Sequence, residues 1–236
     1  MKIKNLLLSS AILASMAGGA VTAFAADYED ATTATVQGMI TFEEDNEPVN
    51  PPNPDDPDTP VDPTDPVNPN GAELMISYAS KLDFGTQSKS GTSWNALGDE
   101  MSDGTLVTPF VATKDSRGVD RKGWTLTAKL DDDFKDAAGN VLNGAELSFS
   151  NLHYTSENGA PTVHAGEIVL SKDAQEISSA DATTGIGQWS VALGELDATA
   201  GTTNGVLLTV PNTTIKNTAT YSTSVTYELT ADPTNE

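Results

Sequence analysis

The chain of 236 residues contains no cysteine, so neither a disulfide framework nor a lipid-modified N-terminal cysteine is available to it. Basic residues are also scarce: 12 lysines and arginines stand against 34 acidic residues, which gives a formal net charge of −22. Because phosphate recognition needs a basic surface, this balance argues against nucleic acid as a partner. No segment has the apolar stripe of an amphipathic helix, so the core must be built from strands.

The first 25 residues have the pattern of a secretory signal peptide. Two lysines precede an apolar run over residues 6–17, and small residues flank Phe24 at the end of the segment. Serines interrupt the run, which is shorter than the roughly 20 apolar residues that a membrane span needs. We therefore predict a signal peptide over residues 1–25, cleavage after Ala25, and no membrane span in the mature chain.

Residues 43–70 are rich in proline and in acidic side chains. They hold nine of the 13 prolines, nine acidic residues and no lysine or arginine. Proline donates no backbone hydrogen bond and like charges repel, so we predict an extended, solvated spacer that is dispensable for folding. Before it, residues 26–42 contain an apolar alternation that predicts one strand over 33–42. We expect this strand to join the sheet of the domain that follows, and donation to another molecule is the alternative.

Residues 71–236 predict an all-β fold, a single β-sandwich or barrel-like domain. Thr, Ser, Gly and Val dominate the composition, and short alternating runs are separated by Gly, Asn and Asp. The predicted strands are residues 73–79, 106–113, 123–130, 145–151, 166–171, 188–193, 206–210 and 220–230. About 166 residues can bury close to 70% of their unfolded surface, so the domain can be stable without disulfides.

Two of these strands echo each other, with Trp124 and Leu126 in the first and Tyr227 and Leu229 in the second. On this echo the sequence resembles the WxL-domain family of Gram-positive surface proteins, whose members carry one Trp-x-Leu motif within the domain and a second near the C-terminus. A strand after the signal, an Asp/Pro-rich spacer and the segment LDFG at residues 82–85 follow the same order. One departure is Tyr227, which stands where the family usually has tryptophan.

The resemblance implies a non-catalytic protein without a cofactor that is secreted and retained non-covalently on the outer face of the cell wall. Its implied partners are peptidoglycan or another wall polymer, co-encoded surface proteins, or host matrix proteins. The C-terminal residues ELTADPTNE agree with non-covalent retention, because they contain no apolar tail and no Leu-Pro-x-Thr-Gly sorting signal. The alternation places Trp124 and Leu126 on one face of their strand, and Tyr227 and Leu229 likewise share a face. We predict that these motif residues belong to the core, with direct wall contact as the alternative.

Four cationic residues precede the first motif: Lys114, Arg117, Arg121 and Lys122. They are interpreted either as an ordinary solvated loop or as a local basic spot that contacts an anionic wall polymer despite the acidic surroundings. Salt-sensitive wall binding would favour the second interpretation, because the Debye length is about 8 Å at 0.15 M salt.

Other reactive residue types have no supporting pattern. His153 and His164 lie in no ligand-spaced cluster, and the acidic group over residues 131–136 lacks the spacing of an EF-hand, so no metal site is predicted. The serines lack a GxSxG elbow or a paired histidine. A wall glycosidase is the least favoured function, since two carboxylates suffice for that chemistry but the sequence pairs none. The main alternative to wall retention is an adhesin or assembly subunit that recognises another protein.

Overall fold

The computed structural model describes residues 26–232, and the predicted signal peptide lies outside this part of the chain. The chain divides into two units, residues 1–43 and residues 44–236. Across the described residues, no helix is long and apolar enough to cross a membrane.

The first unit contains one small antiparallel pair, β1 (Asp27–Tyr28) with β2 (Ala34–Thr35). The Asp30 carboxylate closes the turn between them by accepting a hydrogen bond from the Thr32 amide at 2.7 Å. Residues 36–43 form no strand, so the prediction of one strand over 33–42 is wrong beyond Thr35. Apolar alternation alone does not make a strand, because a strand exists only where its backbone pairs with another.

The second unit is built from three antiparallel sheets and two short strand pairs. Sheet one contains β4 (Ser93–Leu97), β10 (Glu146–Phe149), β13 (Ile168–Val169), β16 (Leu196–Asp197) and β17 (Thr202–Thr209). Sheet two contains β3 (Leu74–Ala79), β7 (Phe110–Asp115), β11 (Leu152–His153) and β15 (Gly187–Leu193). Sheet three contains β8 (Trp124–Leu130), β12 (Thr162–Val163), β14 (Gln175–Ala180) and β19 (Val225–Ala231). The short pairs are β5 (Asp99–Glu100) with β6 (Leu106–Val107), and β9 (Lys135–Asp136) with β18 (Tyr221–Ser222).

The all-β class predicted from the sequence is confirmed. Strands β3, β8, β10 and β15 fall within or next to their predicted bounds. The predicted strand over 106–113 is interrupted before Phe110, and the one over 220–230 is interrupted before Val225. Among the longer strands, β4 and β14 were missed, as were the two-residue strands β5, β9, β11, β12 and β16. In β14, Ile177 is the one large apolar side chain, and small serines and an alanine fill the remaining inward positions.

One apolar core joins the three sheets. Its largest fully buried side chains include Trp124 and Leu126 from sheet three, Phe149 and Val206 from sheet one, and Val191 from sheet two. Along β8, buried and half-buried residues alternate without a break, which confirms the predicted inward face of that strand. At about 25 cal/mol per Å² of buried apolar surface, such a core can hold the fold without covalent links.

Strand β7 is buried along its whole length, because sheet two is covered on both faces. Val111 points into the shared core, while Phe110 and Ala112 point the other way, into a second apolar cluster. That second cluster is completed by Val61 and flanked by Val67, both from the proline-rich segment. The segment therefore supplies the cover that the outer face of sheet two needs.

The sequence predicts a solvated spacer over residues 43–70, and here the structure differs. Pro51, Pro52, Pro54 and Pro63 are buried. The carbonyl oxygen of Pro52 accepts a hydrogen bond from the buried Ser190 hydroxyl at 2.6 Å. Asp55 accepts a hydrogen bond from the Thr108 hydroxyl, the Asn68 amide donates to the Ser77 carbonyl oxygen of β3, and Pro63 bridges to Met101. Charge and proline content exclude a regular sheet in this segment, but they do not prevent apolar prolines and valines from packing on one.

Candidate functional site

An open groove of about 820 Å³ lies where sheet one and sheet three diverge. Its floor is apolar and includes Leu147 and Leu208 from sheet one and Val225 and Tyr227 from sheet three. Trp94 of β4 forms part of one wall, with its side chain half-buried. The groove therefore combines an aromatic and aliphatic floor with access from solvent, as ligand sites commonly do.

The rim of the groove carries charge of the opposite sign to the protein as a whole. Lys81, Lys89 and Lys216 line it, and Asp83 is the one acidic residue among the lining side chains. Lys81 is paired with Asp65 at 3.2 Å. Among the described residues, neither Lys89 nor Lys216 forms a salt bridge. Two ammonium groups are therefore free at the rim of a groove in a protein of net charge −22.

Hydrogen bonds fix one of the two loops that form the walls, and close packing constrains the other. In the loop before β18, the Asn217 amide donates to the Tyr221 hydroxyl at 2.9 Å, and the Thr214 hydroxyl donates to the Asn143 carbonyl oxygen at 2.6 Å. In the loop before β4, a Cβ added at Gly91 would lie 2.7 Å from the Trp94 ring. A larger residue at Gly91 would therefore displace the indole that forms the wall.

Tyr227 lines the groove through its ring, while its hydroxyl is buried and has no hydrogen-bond partner among the described residues. The ring stacks on Phe149 with centroids 6.4 Å apart and planes 7° from parallel, so it joins sheet three to sheet one. Burial raises the pKa of Tyr227, which keeps the hydroxyl protonated and able to donate.

The two echoed motifs lie side by side, because β8 and β19 are antiparallel neighbours. Leu126 pairs with Leu229, and Trp124 pairs with Ala231. The Trp124 side chain is fully buried, and its indole nitrogen lies 3.5 Å from the Gly185 carbonyl oxygen. Trp124 and Leu126 thus lie in the apolar core of the described structure, and direct contact between the motif and a wall polymer stays the untested alternative.

Gly123 fixes the start of the first motif strand. Its φ of +119° falls in a region that favours glycine, and an added Cβ would lie 2.0 Å from the Ala180 carbonyl oxygen. Any side chain there would separate β8 from β14 next to Trp124. The glycine before the motif is therefore required by backbone packing.

A protein-family model described as "WxL domain surface cell wall-binding" matches residues 29–233. The chain belongs to the WxL domain family. This family is one of surface domains that bind the cell wall, which places the protein outside the cell in association with the wall. Neither the curated proteins nor the solved structures contain a match.

In this WxL protein, most of the basic cluster before the first motif serves the fold. Arg117 donates from Nε and Nη2 to the two carboxylate oxygens of the buried Asp115, both at 2.9 Å, and Arg121 Nε adds a third contact at 3.2 Å. Burial by itself would raise the pKa of Asp115, but the hydrogen bonds from Arg117 outweigh it and hold that pKa below its ordinary value.

The remaining members of the basic cluster differ in exposure. The buried Lys114 ammonium contacts the Asp45 carboxylate at 2.9 Å and the backbone oxygens of Asp45 and Glu47. Lys122 is exposed. Internal partners therefore occupy Lys114, Arg117 and Arg121, and Lys122 is the cluster member that presents its side chain to solvent.

The histidines and the acidic group over residues 131–136 are placed apart. Within residues 26–232, no three His, Asp or Glu side chains converge as metal ligands would. Asp136 accepts hydrogen bonds from the Ala138 and Asn140 amides and so shapes a turn. Asp132 is paired with Lys135 at 3.1 Å on the surface.

The groove was missed by the sequence analysis. Its walls come from β4, which was not predicted, and from two loops separated by more than 120 residues in the chain. The segment LDFG at residues 82–85 was noted as part of the family pattern, and the structure places it in the wall of the groove. That segment and the motif residue Tyr227 are the sequence features that the structure brings to this surface.

Proposed function

We propose that this protein is a non-catalytic surface protein that is retained on the cell wall without a covalent link, through direct binding of its β domain to peptidoglycan. The observation that carries the proposal is the extent of the family match, which covers residues 29–233 and so includes the whole β domain. The described fold is then itself the wall-binding module, with a packed core and an open groove between two of its sheets.

Extraction of the protein from intact cell walls tests non-covalent retention. We expect high salt or urea to release the protein at its full mature mass, without digestion of the wall. A protein that is released only by muramidase, with wall fragments attached, would contradict the proposal.

Incubation of the purified protein with cell walls tests the absence of catalysis. We expect the turbidity of the suspension and the amount of soluble reducing sugar to stay at the level of the buffer control. A fall in turbidity that depends on protein concentration would favour the glycosidase alternative.

An adhesin or assembly subunit is the second candidate, and one observation favours it. In the first unit, Val36, Ile40 and Phe42 expose 74%, 76% and 84% of their surface, which is unusual for a run of large apolar residues. An extended apolar segment of this kind can add as a strand to the edge of another protein's sheet. Light scattering as a function of concentration tests this, and an Ile40→Ser, Phe42→Ser variant should lose any self-association that the segment causes.

A further inference from the structure

We propose that the groove between sheet one and sheet three is the site that holds peptidoglycan, and that its ligand is a stretch of glycan strand together with the carboxylates of the attached peptide stems. This rests on the proposed function, and it assigns that function to a defined surface. The charge of the rim, the chemistry of the floor and the accessibility of the groove each contribute to the assignment.

The rim of the groove selects an anionic ligand. Lys89 and Lys216 have no salt-bridge partner among the described residues, and Asp83 is the one acidic residue in the lining. In a domain with a large excess of acid, most of the surface repels an anionic polymer. A local site of positive charge therefore determines where on the protein such a polymer binds and how it is aligned there.

The aromatic lining of the groove selects a sugar. Trp94, Phe84 and Tyr221 contribute half-buried rings to this lining. Aromatic rings bury large apolar areas at little cost in conformational entropy, and the apolar faces of sugar rings and the methyls of N-acetyl groups are suited to them. The polyol-phosphate backbone of a teichoic acid offers no ring face to these aromatic side chains, so a glycan with carboxylate-bearing peptide stems fits the whole groove better.

The shape of the groove accommodates a polymer. Its volume of about 820 Å³ lies within the range of ligand sites, and its walls are two loops exposed to solvent. A strand can therefore lie along the groove and continue beyond it, as a polymer in a wall must. The loop before β18 is pinned by the contacts of Asn217 and Thr214, so this wall of the site is formed before the ligand arrives.

Pelleting of the purified protein with peptidoglycan freed of protein and of phosphate polymers tests the proposal. Because each exposed ammonium–carboxylate pair contributes modestly, we expect Lys89→Glu with Lys216→Glu to weaken apparent affinity roughly tenfold or more. Trp94→Ala should weaken it by a similar factor. Peptidoglycan whose carboxylates have been converted to neutral amides should bind the wild-type protein as weakly as native peptidoglycan binds the lysine variant.

Lys122→Glu is the matched control, since Lys122 is an exposed lysine away from the groove. It makes the same type of charge change as each groove substitution, and we expect wild-type affinity. Circular dichroism and thermal midpoints within a few degrees of wild type establish that each variant is folded.

Three results would overturn the assignment: wild-type affinity of the folded groove variants, an equal loss per substitution in Lys122→Glu, or undiminished binding to amidated peptidoglycan. In each case binding of the wild-type protein shows that the proposed function stands. The two variant results would place the site elsewhere, and undiminished binding to amidated peptidoglycan would show that carboxylates are not recognised. A wild-type protein that does not pellet at all, but binds walls that retain their phosphate polymers, would overturn both proposals.

Discussion

Replacement of Trp124 by alanine separates the structural role of the Trp-x-Leu motif from a role in recognition. The side chain is fully buried between β14 and the loop at Gly185, and it belongs to the largest apolar cluster. Truncation of a buried tryptophan typically costs about 3–5 kcal/mol through lost burial and the cavity left behind. For a domain of this size each kcal/mol lowers the thermal midpoint by roughly 2–4 °C, so we expect a fall of about 6–20 °C.

The assay compares thermal and urea unfolding with pelleting on peptidoglycan, all at one temperature. Trp124→Phe is the control, since it keeps a ring in the cavity and should cost roughly half as much. If the motif is structural, the binding of each variant follows its folded fraction, and lower temperature restores both. A Trp124→Ala protein with the wild-type midpoint and circular dichroism but without wall binding would refute this reasoning and make the motif a contact site.

Four further outcomes follow from individual contacts. Asp115→Asn should destabilise the domain by about 3–5 kcal/mol in urea unfolding, because it leaves the buried Arg121 without its counter-charge. The control is Asp131→Asn at an exposed position, which should cost under about 0.5 kcal/mol. Since the pKa of Asp115 is lowered in the folded protein, its contribution is complete above the ordinary value of 3.8 and is lost as pH falls through the folded pKa. Stability should therefore be flat from pH 7 to pH 5 and fall below about pH 4, and Asp115→Asn should flatten that fall; an unchanged acid limb would contradict the assignment. Tyr227→Phe removes a buried hydroxyl without a partner and should stabilise the domain by about 1 kcal/mol. Tyr154→Phe loses a hydrogen bond to Ser178 and should destabilise the domain by a similar amount. Equal effects of the two substitutions would show that the Tyr227 hydroxyl has a partner. Replacement of residues 51–63 by a Gly/Ser linker of equal length should unfold or strongly destabilise the domain, because it uncovers the second apolar cluster on sheet two. A wild-type thermal midpoint would restore the interpretation of this segment as a spacer.

Strong local patterns made the motif strands predictable. GWTLTAKL alternates large apolar and polar residues over a full strand length, and the structure places Trp124, Leu126 and Ala128 on the buried face as that pattern requires. The same reasoning fails for β14, where inward positions are filled by Ser178 and Ala180 and no apolar alternation is visible. Inward serines depend on tertiary partners, such as the Tyr154 hydroxyl at 2.8 Å from the Ser178 hydroxyl, which a sequence does not display.

The proline-rich segment and the groove depend on long-range contacts. Val61 and Val67 looked like isolated residues in an acidic, proline-rich run, and their role appears only when Phe110 and Ala112 are seen to need cover. In the basic cluster the deciding contacts are local instead, since Arg117 and Arg121 fold back onto the buried Asp115 that ends β7, the strand directly before them. Composition describes average exposure, while pairing across sheets decides which charges and which valines are buried.

The most direct test of direct wall retention is equilibrium pelleting of the purified protein with peptidoglycan from which protein and phosphate polymers have been removed. We expect saturable binding in the absence of any other protein, and binding that weakens as salt rises through about 0.15 M, because the proposed site pairs lysines at the groove rim with carboxylates of the peptide stems. A protein that stays in the supernatant with this peptidoglycan, yet pellets when a wall-linked protein partner is added back, would show that retention runs through that partner and would contradict the account.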